Sequence, residues 1–191
     1  MAKTSLDSPL FERYQIQQFF DEMFDEKGQV RPAYLALAQR LSLLSPEEFA
    51  RRQAAADLSF LRQGITFTVY GHDDATEKIF PYDLLPRVLS NTEWTEVERG
   101  LKQRITALNL FLGDIYDKGK ILNDKQVPRE LVYSCKHFRR EMRGVKVPRG
   151  VYVSVVGSDL VRTEGGRFAV LEDNLRVPSG VSYMLTNRQI M

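Results

Sequence analysis

The stretch VYVSVVGSDLVRTEGGRFAVLEDN, residues 151–174, decides how the chain is read. Val151, Val153 and Val155 open an apolar run over 151–156, and Phe168, Ala169, Val170 and Leu171 lie in a second over 167–171. Between them stands Thr163-Glu164-Gly165-Gly166, whose paired glycines suit a tight turn because glycine enters positive φ freely. The pattern predicts two antiparallel strands, 151–156 and 167–171, closed as a hairpin. Asp159 then lies just past the first strand and Glu172 at the end of the second. Asn174 points the same way as Glu172 if the strand continues. Asp159 and Glu172 are nearly equidistant from the turn, so two carboxylates and an amide oxygen are expected to converge. Oxygens of this kind are what a hard cation such as magnesium takes, with phosphates and waters completing the shell. Arg176 adds a fixed positive charge suited to an anionic oxygen, and Ser179-Gly180 adds a hydroxyl and open backbone. Polar residues also end many strands, so residue types alone leave an ordinary strand end open beside the metal site. A slip of one residue would turn Glu172 away from Asp159. Asp173 reads as solvated or structural.

Working outward, residues 1–63 form a helical N-terminal segment. Leu10, Tyr14, Phe20 and Phe24 predict a helix over 9–25, and Tyr34, Leu37, Leu41 and Leu44 a second. Ser45-Pro46-Glu47-Glu48 is a start signal for a third, with Ser45 as cap and Pro46 at the first helical position. From Gly64 the pattern changes. Ile65, Phe67 and Val69 alternate with polar neighbours as a strand. Gly71-His72-Asp73-Asp74 is a turn, and 78–85 a second extended piece broken by Pro81. His72 and Asp73 are either ordinary turn composition or part of a substrate pocket. Trp94, Val97, Leu101, Ile105, Leu108, Leu112 and Ile115 form one stripe of a long helix from Thr92, ended by Gly119. The predicted class is α+β: a helical N-terminal third, then a small antiparallel sheet packed by the long helix.

Composition limits the function. The 191 residues are 43% hydrophobic and 27% charged, as in globular proteins, with a net charge of +2 that gives no electrostatic footprint for nucleic acid. No apolar run approaches the roughly 20 residues that span a bilayer, so no membrane partner is expected. The single Cys135 cannot form an internal disulfide, which fits a cytoplasmic location.

VLEDNLRVPSGVSYMLTNRQIM, together with GSDLVR upstream, resembles the circularly permuted ATP-grasp type 2 family, related to glutathionylspermidine synthases. TFTVYGHDDATEKIFPYDLLPR, LKQRITALNLFLGDIY and FRREMRGVKVPRG extend the likeness over residues 64–191, with a looser match before them. The resemblance implies a partial permuted ATP-grasp fold in 64–191, ATP as co-substrate and magnesium held by Asp159, Glu172 and Asn174. Relatives tend to carry an arginine two residues before the first acid, where this chain has Gly157. Arg162 or Arg176 is then expected to stabilise the phosphoryl group. Ser179, Gly180 and Ser182 would line the place where the acyl group forms. Family members continue well past this motif, so the likeness implies that this chain is the N-terminal part of an ATP-dependent carboxylate–amine ligase, with little turnover alone. The alternative is a non-catalytic interaction or self-association module that retains the fold.

Overall fold

The computed structural model describes residues 5–70, 75–79, 81–178 and 180–190. His72 and Asp73 lie outside these residues. The chain is mixed α and β, and contacts divide it into two compact units: Met1–Asn91 with Val161–Ala169 and Ser179–Met191, and Thr92–Leu160 with Val170–Pro178.

In the first unit the helix expected over 9–25 does not form. Only Pro9–Phe11 makes a 3-10 turn, capped by Ser8. Carboxylates intercept the amides that a helix would need. Asp21 Oδ1 accepts from the Met23 and Phe24 N–H groups at 2.9 and 2.8 Å, and just past the segment Asp25 Oδ1 keeps the chain turned by accepting from those of Lys27 and Gln29 at 2.9 and 2.8 Å. The apolar residues of this segment still reach a core, in which Phe11, Ile16, Phe24 and Leu41 are buried together. Helix α1 (Leu35–Leu41) follows a 3-10 turn. Helix α2 (Pro46–Arg62) starts as its signal predicts, with the Glu48 N–H donating to Ser45 Oγ at 3.2 Å, and it buries Ala56 and Phe60. Strands β1 (Thr66–Tyr70) and β2 (Ala75–Ile79) pair antiparallel, Thr66 against Ile79 and Tyr70 against Ala75. The second extended piece is therefore 75–79, not 78–85, and the proline-bearing 81–90 is irregular.

In the second unit, helix α3 (Asn91–Tyr116) runs for 26 residues. Its stripe is covered unevenly: Val97 and Ile115 are buried, Leu101, Ile105, Leu108 and Leu112 half-buried, and Trp94 exposed. Gly119, at φ 60°, turns the chain and donates its N–H to the Asp114 carbonyl at 2.7 Å. The Asp114 carboxylate then accepts from the Lys120 and Ile121 amides, both at 2.9 Å, which starts α4 (Lys120–Asn123). With α5 (Arg129–Tyr133) this builds a core of Ile115, Leu122 and Val132.

The strand expected over 151–156 is not one. Asn109 Oδ1, on α3, accepts the Tyr152 and Val153 amides at 2.8 and 3.1 Å, so these groups are withdrawn from any ladder. The hairpin strands are β3 (Gly157–Arg162) and β4 (Phe168–Asn174), so Asp159 sits inside a strand and not beyond one. The described residues hold two separate two-stranded sheets, β1-β2 and β3-β4. The turn falls where the glycines predict it, with Gly165 at φ 73° and Gly166 at φ 78°, and the Thr163 N–H donates to the Arg167 carbonyl at 2.7 Å. Helix α6 (Gly180–Ile190) ends the described chain. No described helix is long and apolar enough to cross a membrane.

Candidate functional site

The open end of the β3-β4 hairpin, with α3 beside it, carries the expected donors. Side chains on a strand alternate between faces. On β3, Ser158 and Arg162 share one face, so Asp159 takes the other. Phe168 packs with Arg162, whose guanidinium lies 4.3 Å from the ring centre. Asp173 meets Ser158, whose Oγ donates to Asp173 Oδ1 at 2.7 Å. Asp173 therefore lies on the Ser158 face of the hairpin, and alternation puts Glu172 and Asn174 on the other. The exposure of β4 changes phase along the strand. Phe168 and Val170 are half-buried, Leu171 and Glu172 both exposed, Asp173 half-buried and Asn174 exposed. Val170 and Asp173 are both half-buried although three positions separate them, an odd number, so the phase of exposure shifts by one residue between them. Glu172 and Asn174 thus face solvent, on the side that Asp159 occupies.

The solvent-facing donors are arranged as follows. Asn174 Nδ2 donates to Glu172 Oε1 at 3.0 Å, and Asp159, Glu172 and Asn174 are all exposed. Gly157 has a local reason: a Cβ there would lie 3.6 Å from the Asn174 Cβ and 3.0 Å from the Pro178 Cβ. Among the described residues no group of three or more His, Cys, Asp and Glu side chains is gathered for a metal. This face offers two carboxylates and an amide, a donor chemistry that fits magnesium when phosphates and waters supply the remaining oxygens.

Asp173, in the middle of the motif, is the opposite case. Its side chain is only 6% exposed and pairs with the guanidinium of Arg104 on α3. Burial pushes its carboxyl up, but the Ser158 hydroxyl and Arg104 outweigh that and hold it below the usual carboxylate value.

The arginines separate. Arg176 is exposed, and its Nη1 donates to His137 Nδ1 at 2.9 Å. Beyond it Val177 adopts φ 48°, a strained conformation for a β-branched residue. Arg162 belongs to the first unit, where its side chain is 7% exposed, 3.3 Å from a Glu22 carboxylate oxygen, and donates to the Gly166 carbonyl at 3.2 Å. Gly180 opens α6, while Ser179 and the side chain of Ser182 lie outside the described residues. Sequence reasoning missed Arg104, Ser158 and His137. The signal for the first two was the acid between Glu172 and Asn174, since a middle residue must turn away from its neighbours and find a partner behind the strand.

Residues 86–191 match the family described as circularly permuted ATP-grasp type 2. An uncharacterised protein of Synechocystis sp. is 45% identical over 178 residues, which cover 93% of this chain and 37% of that protein. An uncharacterised protein of Mycobacterium tuberculosis is 48% identical over 172 residues, 90% of this chain and 30% of that protein. A Frankia casuarinae protein with the provisional name glutamate–cysteine ligase 2-2 is 39% identical over 189 residues, 99% of this chain and 22% of that protein. The chain spans 37% or less of the length of these relatives.

Proposed function

The chain belongs to the circularly permuted ATP-grasp type 2 family, and from that premise we propose that it is part of an ATP-dependent carboxylate–amine ligase. The observation that carries this reading is the shared, solvent-facing side of Asp159, Glu172 and Asn174 at the open end of the hairpin. These three residues would hold magnesium. When bound, the ion would neutralise charge on the phosphates of ATP. In the proposed reaction a substrate carboxylate oxygen attacks the γ-phosphorus and ADP leaves. The amine nitrogen of the second substrate attacks the acylphosphate carbonyl, phosphate leaves, and the nitrogen loses a proton to give the amide. Arg176 would stabilise the charge on the transferring group, held in place by His137. Arg162, enclosed by Glu22 and Phe168, is the other arginine proposed for this role. Ser179, Gly180 and Ser182, with His72 and Asp73, are the proposed substrate contacts. The name of the Frankia relative supports an amino acid as acyl donor, and the likeness to glutathionylspermidine synthases supports a peptide acyl donor or a polyamine acceptor. A reducing, cytoplasmic setting is part of the same proposal.

The test is binding of Mg-ATP by the 191-residue chain. Wild type is expected to bind weakly and to release little ADP. Glu172→Ala should weaken binding by about tenfold, equivalent to about 1.4 kcal/mol. Equal affinity in the two proteins would remove Glu172 from the site. The second reading, a non-catalytic self-association module, is favoured by one observation: Val181, Met184 and Leu185 of α6 are 46%, 58% and 54% exposed.

A further inference from the structure

Glu172 and Asn174 face solvent where the exposure of β4 shifts phase by one residue, and apolar patterning does not cause that shift. Phe168 and Val170 set the half-buried phase, and its continuation would turn Glu172 inward and Asp173 outward. Leu171 offers no opposing pull, since it is 68% exposed. What occupies the inward position at the end of the strand is a carboxylate. Burying a carboxylate is unfavourable unless its charge and lone pairs are met. Here both are met: Ser158 Oγ donates at 2.7 Å from β3, and the Arg104 guanidinium approaches from α3. Strand β3, strand β4 and helix α3 are thus joined at one side chain.

We propose that Arg104, Asp173 and Ser158 form a positioning lock that holds β4 in its shifted phase and so presents Glu172 and Asn174 beside Asp159. They are positioning residues, because they contact one another and would act on the ion only through Glu172 and Asn174. The lock rests on the reading of that side as a cation site, and it makes a separate claim about the strand. Asp173→Asn keeps the shape and an oxygen for Ser158 but loses the charge that Arg104 meets. Arg104→Met removes the other partner, and Ser158→Ala is the gentler third variant.

The experiment uses the 191-residue chain, Mn2+ alone as probe, and NMR. Mn2+ should broaden the Asn174 side-chain amide and the backbone amides of Asp159 and Glu172 in wild type. In Asp173→Asn and Arg104→Met the Mn2+ dissociation constant read at those signals should rise about tenfold, as for lost outer partners of metal ligands. Val97→Ala, which trims a buried residue elsewhere on α3, supplies a control of lowered stability and should keep the wild-type constant. Wild-type affinity in Asp173→Asn would overturn the lock, as would an equal loss in Val97→Ala. Cross-strand contacts test the lock without the ion: in the variants the Ser158–Asp173 contact should be lost and Glu172 should move to the Ser158 face. If wild type shows no broadening, the cation reading fails and the lock falls as a positioning device for it. The cross-strand contacts then still judge the phase claim, and a phase unchanged in Arg104→Met refutes it.

Discussion

Asp21 directs the fold of its segment with a single carboxylate. Oδ1 takes two backbone amides that a helix would have used, while Oδ2 accepts from the Tyr14 hydroxyl at 2.6 Å. Burial first, and then the Asp21 hydrogen bond and charge, push the Tyr14 phenol from 10.0 to about 12. The protonated phenol is therefore favoured in the folded state. Its contribution to stability is fully present below pH 10.0 and is lost as pH rises toward about 12. Tyr14→Phe lacks this proton, so the stability advantage of wild type over the variant should shrink across that window. Denaturant unfolding at several alkaline pH values measures it. A difference that stays constant with pH would mean that Tyr14 does not titrate differently in the folded chain.

Among elements, the β3-β4 turn separates two roles of glycine. Gly165 and Gly166 both have positive φ, but a Cβ on Gly165 would meet nothing within 4 Å, whereas one on Gly166 would lie 2.8 Å from the Phe20 ring. Gly165→Ala should cost about 1 kcal/mol from left-handed strain alone. Gly166→Ala adds the displacement of a ring that also stacks under Arg31, at 4.5 Å, and should cost about 2–3 kcal/mol. Equal losses in chemical denaturation would show that Phe20 yields freely. These elements also show what was legible in the sequence. The start of α2 was, because Ser45 and Pro46 act within one turn. The glycine turn was, for the same reason. The helix over 9–25 and the strand over 151–156 were misread because apolar spacing was used without asking where the amides go. Asn109 takes two of them across more than forty residues of sequence. The phase shift in β4 was hidden likewise, since Arg104 stands 69 residues before Asp173. The motif residues and their convergence were expected from sequence, but the partners that bury Asp173 behind them were not.

At the scale of the whole molecule, each compact unit has its own small core, and much apolar surface is left outside both. On α6, Val181, Met184 and Leu185 follow the i, i+3, i+4 spacing of one helical face, while Thr186 is buried at 8%. An exposed apolar stripe of this kind favours association. We propose that α6 pairs with a second copy of the chain, an expectation that holds whether or not the hairpin binds a nucleotide. Light scattering across a concentration series should show a mass that rises above 22.0 kDa. Met184→Lys with Leu185→Glu should raise the dissociation constant by at least about tenfold, because burying each apolar side chain is worth about 1.5–3 kcal/mol. Both substituted positions are exposed, so the variant's thermal unfolding at low concentration should match wild type. A wild type that stays at 22.0 kDa, or a variant that associates equally, would take α6 out of any interface.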